Sequence, residues 1–114
     1  PQSDESLDSI EAQMMSVDVE LRWIEREEGD IFLEYPTDES AQTSVPPHSG
    51  YLAGAFANVV EEQGEEGSII ANVNDGSCIG TYSILNEWAV DYVNGEIDSE
   101  EYLNLIGQTY DYEC

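Results

Sequence analysis

No lysine occurs in this chain of 114 residues; two arginines, Arg22 and Arg26, stand against 26 aspartates and glutamates, a formal charge of −24. A folded state at that charge density repels itself, and only concentrated salt shortens the reach of the repulsion to a few ångströms. Any fold must therefore spread its acids over solvated surface and keep them off one compact side. The acids do lie scattered between periodic apolar residues, the pattern of a surface and not of an acidic tail. An apolar fraction of 40%, with seven Tyr and two Trp, is also too high for disorder. The composition reads as a folded protein adapted to near-saturated brine.

The length suits one domain, 1–114, with residues 1–4 expected to fray. No apolar run is long enough to span a bilayer, so direct membrane insertion is not expected, and PQSDES does not resemble a signal peptide. Beginning at Pro1, the chain reads as a processed or trimmed protein. A surface this acidic disfavours nucleic acid and anionic lipid as partners. It favours a loose, nonspecific accumulation of cations over a bound cofactor.

Ser3 is placed to cap a first helix, with Asp4 and Glu5 in its first turn and Leu7, Ile10 and Met14 as its apolar stripe, Met15 being a further candidate for it. Val17 to Tyr35 alternates as a hairpin around a three-residue loop, Glu27-Glu28-Gly29. That loop sets Arg22 opposite Glu34, Arg26 opposite Asp30 and Ile24 opposite Phe32, with Trp23 and Leu33 paired on the other, inward face. It gives each of the two cations an acidic neighbour. Pro36 to Gly50 is a loop, and Tyr51–Glu62 a second helix ended by Gly64. Asp75-Gly76 predicts a two-residue turn pairing Val73 with Cys78, Ala71 with Gly80 and Ile69 with Tyr82. Ile84–Val93 is a third helix, and Asp98 with Glu101 boxes the start of a fourth. The order α-ββ-α-ββ-α-α predicts an α+β fold, a single antiparallel four-stranded sheet with helices on one face.

Cys78 and Cys114 are the only cysteines. A bridge between them would tie the C-terminal helix to the sheet; the alternative is a buried Cys78 and a frayed, exposed thiol at Cys114. Two cysteines and one histidine lack ligand-pair spacing, so no metal site is expected. His48 with Cys78 could in principle form a nucleophile pair, but one falls in a proline-rich loop and the other should point into the core. The paired carboxylates, Glu27/Glu28, Glu61/Glu62, Glu65/Glu66 and Glu100/Glu101, sit at turns and helix ends, where acids are ordinary surface. Asn72, Asn74 and Asp75 lack the spacing of a calcium loop. Nucleotide-binding and hydrolase motifs are absent. No catalytic, cofactor-binding or metal residues are assigned, and no enzyme is expected.

The segments LRWIEREEGDIFLEYPT, YLAGAFANVVEEQGEEGSIIANVNDGSCIGTYSI and EWAVDYVNGEIDSEEYLNLI resemble small haloarchaeal proteins that carry a domain of unknown function. Proteins of that group are often predicted to be exported or lipid-anchored. The resemblance spans residues 5 to 108, and its most specific string is W-x3-Y-x2-G-E-I-x3-E-Y from Trp88 to Tyr102. It implies a halophilic source and an α+β fold, and no catalytic residues; Cys78 with Cys114 departs from the pattern. The leading expectation is a non-catalytic accessory or protein-interaction module, extracytoplasmic or membrane-tethered, with an unidentified protein partner or self-association at high salt. The alternatives are a nucleic-acid mimic that inhibits a DNA-binding protein, which would allow a cytoplasmic site, and a small thiol enzyme using Cys78 and His48.

Overall fold

The computed structural model describes residues 4–114. Among these residues four helices, α1 (Glu5–Met15), α2 (Ser49–Gln63), α3 (Asn86–Val93) and α4 (Ser99–Gly107), pack on a sheet of five strands. The strands are β1 (Trp23–Glu27), β2 (Asp30–Pro36), β3 (Ile69–Asn74), β4 (Ile79–Ile84) and β5 (Asp111–Glu113), in sheet order β1-β2-β3-β4-β5.

The fold is α+β, but the expected single antiparallel four-stranded sheet is not formed. The sheet is mixed, because β2 and β3 run parallel while the other three pairings are antiparallel. The cause lies in the connection. Helix α2 carries the chain back along the sheet between β2 and β3, and a crossover of that kind delivers the next strand in the same direction as the last. The fifth strand was absent from the expectation because three residues are too short to show a period.

Alternation along β2 and β3 buries Ile31, Leu33, Tyr35, Ile69, Ala71 and Val73, which join Tyr82 and Ile84 of β4 on one face. Ile10 and Met14 of α1, Leu52, Phe56 and Val59 of α2, Ala89 of α3, and Tyr102 and Ile106 of α4 complete a single core against that face. Helix α1 is capped by Asp4, whose carboxylate accepts the Leu7 N–H at 3.3 Å. The cap expected at Ser3 and the fraying of Pro1 to Ser3 lie outside the described residues. Asp98 caps α4 through the Glu101 N–H as its sequence implies. Ile84 and Leu85, expected in α3, instead end β4 and precede the helix.

The two hairpin registers differ from expectation in opposite ways. In the first, Glu28 (φ 52°) and Gly29 (φ 90°) are both left-handed, so the loop has two residues and Glu27 faces Asp30. Trp23 then pairs with Glu34, Ile24 with Leu33, Glu25 with Phe32 and Arg26 with Ile31. This one-residue slip turns the β1 side chains over relative to those of β2: Trp23, expected in the core, is 40% exposed on the uncovered sheet face, while Leu33 and Tyr35 stay inward. In the second hairpin Asp75 accepts the Ser77 and Cys78 N–H groups at 2.8 and 2.7 Å, widening the loop to Asp75–Cys78. Val73 pairs with Gly80, Ala71 with Tyr82 and Ile69 with Ile84. A two-residue slip preserves the faces, so the expected inward set is still inward.

Candidate functional site

Between β2 and α2 the chain runs from Thr37 to His48 as a strap across one end of the fold. Buried tyrosines fix it from beneath. Tyr35 and Tyr82, both with no exposed surface, share a hydroxyl–hydroxyl hydrogen bond of 2.7 Å, and the Tyr35 hydroxyl also donates to the Pro47 carbonyl. Burial holds both phenols protonated, well above the usual tyrosine range. Closer to the middle of the strap, Tyr110 donates to the Ala41 carbonyl at 2.6 Å, and the Ala41 N–H donates to Asp75 Oδ2 at 2.7 Å. The backbone donors of Ala41, Cys78 and Ser77 hold the Asp75 carboxyl below its ordinary range.

The strap forms one wall of a surface groove of about 940 Å³, with Val45, Pro46, His48, Tyr51 and Leu103 as its main apolar and aromatic lining. The His48 and Tyr51 rings stack with centroids 6.0 Å apart, and His48 takes a left-handed φ of 60° just before α2. Val45, Tyr51 and Leu103 are 64%, 52% and 41% exposed. Three large apolar side chains thus converge on one concavity, where single scattered ones are normal elsewhere on a surface. A second concavity adjoins it, sharing Val45, Pro46, Ser49 and Leu103, and continues the groove towards Glu100 and Asn104 of α4.

Cys78 and Cys114 are joined in a disulfide. Cys78 is buried and the bridge fastens β5 to the start of β4, so Cys78 carries no thiol to pair with His48 in this state. His48 faces the groove with Tyr51 and Tyr35 as its ring neighbours.

The two arginines are placed differently. Arg22 Nη1 lies 3.5 Å from Glu34 Oε2 at an exposed position, although Arg22 precedes β1 and its expected cross-strand slot is taken by Trp23. Arg26 does not pair with Asp30. Its guanidinium reaches Asp4 at 2.8 Å and Glu65 at 2.6 Å, and donates to the Gly29 carbonyl at 2.8 Å. The slipped register explains this: Arg26 now lies opposite Ile31, on the helix side of the sheet, among the start of α1, the hairpin turn and the α2–β3 connection. Asp30 instead accepts the Ser68 N–H at 3.0 Å. Glu65, which its sequence neighbourhood marks as ordinary surface, is only 9% exposed. Burial opposes its ionisation, but Arg26, the Gly67 N–H and Ser6 outweigh it and hold the carboxyl below its usual range. Arg26 likewise draws Asp4 down, and the two carboxylates raise the guanidinium further. No sequence signal separates Glu65 from Glu66; proximity to Arg26 arises only in the folded chain.

Among the described residues no group of His, Cys, Asp and Glu side chains is arranged to hold a metal ion, and no helix is long and apolar enough to cross a membrane. The described residues thus form a small α+β domain with a surface groove of mixed lining, one wall of which is a tyrosine-pinned strap. The chain belongs to the family described as Domain of unknown function (DUF8159), which matches residues 1–113. No curated protein and no solved structure matches it.

Proposed function

We propose that this domain is a non-catalytic protein-interaction module that binds an extended segment of a partner in the strap groove. The observation that carries the reading is the convergence of Val45, Tyr51 and Leu103, all exposed, on one groove with a fixed backbone wall. Rigid aromatic and aliphatic anchors in a concave site are the usual source of interface affinity. Glu39 and Glu100 line the two adjoining parts of the groove and neither arginine does, so the segment that fits carries an apolar side chain and neutral or basic flanks. In this reading the module belongs to a halophile and works in multimolar salt, outside the membrane or tethered to it, as its composition and its likeness to exported haloarchaeal proteins suggest. Salt of that strength screens distant charge and leaves apolar contact as the dominant attraction.

The test is selection of binders from a displayed peptide library against the folded protein in multimolar KCl. Selected peptides are expected to share an apolar anchor and to lose about tenfold or more in affinity against Tyr51→Ala and Leu103→Ser, with thermal midpoints of both variants near that of the parent. Binders indifferent to both substitutions, or no binders at all, would overturn the reading.

A further inference from the structure

We infer that the Cys78–Cys114 disulfide is a redox latch that sets the strap, and through it the groove. Its consequence for binding rests on the interaction reading above; its mechanics do not.

The strap is secured at two places of unlike character. Near His48 it hangs on the Tyr35 hydroxyl, which belongs to the core and is independent of the bridge. At Ala41 and Gln42, beyond a local bond from the Gln42 N–H to Ser40 Oγ, the side-chain attachments come from the bridge sulfurs, from Tyr110 next to β5, and from Asp75 in the turn that ends at Cys78. Tyr110, which donates to the Ala41 carbonyl, immediately precedes β5. Gln42 Nε2 lies 2.7 Å from Cys114 Sγ and 3.1 Å from Cys78 Sγ. Asp75, which accepts the Ala41 N–H, also organises the turn that ends at Cys78. Strand β5 has three residues and pairs only with Ile79, Gly80 and Thr81, too little for independent stability. The Tyr110 ring lies against Gly80, where any Cβ would collide with it, and meets Tyr82 edge-on, while Thr109 beside it accepts the Ser83 N–H at 2.8 Å.

The bridge is also open to exchange on one side. Cys114 is exposed while Cys78 is 4% exposed. A thiolate of an external dithiol attacks Cys114 Sγ, forming a mixed disulfide as the bond to Cys78 breaks; Cys78 Sγ leaves with the electron pair and takes a proton from water. The second thiol of the dithiol then attacks its own partner sulfur and releases Cys114, so the dithiol departs as a disulfide and both cysteines are reduced. With the bridge gone, β5 is held only by its pairing to three residues of β4, and the Tyr110 ring, which packs on the core, loses the anchored strand that follows it. Gln42 loses its contacts with the bridge and the Tyr110 bond to Ala41 weakens, leaving Ala41 on Asp75 alone, and the groove wall at Thr43 and Val45 loosens.

Hydrogen exchange on the full chain in multimolar KCl, oxidised and then kept reduced with dithiothreitol, tests the latch. Reduction should speed exchange about tenfold or more over 38–45 and 109–113, and leave β2 and α2 as they were, since local opening free energies differ from the global one. Acceleration of every amide together would make the bridge a staple of the whole fold, and an unchanged strap would remove the latch; either overturns the inference. Tyr110→Phe with the bridge intact should loosen 41–42 without reductant, and failure to do so would break the proposed route. A peptide selected on the oxidised protein should bind about tenfold more weakly after reduction. A loosened strap with unchanged peptide affinity would overturn the link to the groove and leave the interaction reading standing. A loosened strap in a protein that selects no peptide would overturn that reading and leave the mechanical latch.

Discussion

Arg26 is the residue on which the most separate pieces of the chain meet. Its single guanidinium pairs with both Asp4 at the cap of α1 and the buried Glu65, and donates to the hairpin carbonyl of Gly29. Removing one member of a buried ion pair leaves an uncompensated charge, which costs about 3–5 kcal/mol when fully buried. Arg26 is itself partly exposed, so Arg26→Met is expected to cost about 2–3 kcal/mol in denaturant unfolding at neutral pH. The pH dependence has a definite sign. Both carboxyls have folded values depressed below their unfolded ones, so the pair's contribution is complete above the unfolded carboxylate range, near pH 4–4.5, and fades as pH falls through the depressed values. The gap between parent and variant should therefore shrink on acidification below about pH 4; a gap that widens there would show that the network does not stabilise through ionised carboxylates. By contrast Arg22, half exposed beside Glu34, should contribute no more than about 0.2–1 kcal/mol.

The first hairpin shows how one turn decides a whole face. Glu28 and Gly29 both take left-handed backbone, a type I′ geometry that suits the strand twist. Gly29→Ala would place a Cβ at φ 90° with nothing crowding it. The loss should then be purely conformational, about 1–2 kcal/mol, read as a lower denaturant midpoint with unchanged slope. Trp23→Thr tests the register from the side chain. On the uncovered face it should cost less than about 1 kcal/mol, whereas a core tryptophan would cost 3 or more. A loss of that larger size would restore the three-residue loop and the inward Trp23.

At the scale of the molecule the dominant force to test is self-repulsion among 26 acids. If the chain is adapted to brine, its thermal midpoint in KCl should climb by tens of degrees, of order 20–30 °C, between low and multimolar salt as screening shortens the repulsion. A flat or falling midpoint would remove the halophilic reading. The sequence by itself settled whatever depends on local period and local chemistry: α+β content, the buried stripe of α2, the Asp98 cap, and the inward residues of β3 and β4, while Leu85 and Leu103, expected on inward helix stripes, are exposed. It also named Cys78 and Cys114 as a candidate pair while leaving the choice between bridge and thiols open. What only the tertiary structure decided were distances between segments far apart in the chain. The parallel β2–β3 pairing, the three-residue β5, the burial of Glu65 beside Arg26, and the hydroxyls that pin the strap from positions 35, 82 and 110 all belong here. Periodicity records which side of an element is apolar, and carries nothing about which element will cover it. A strand too short to show a period, or one glutamate among many, becomes distinct only when the folded chain brings a partner within bonding distance.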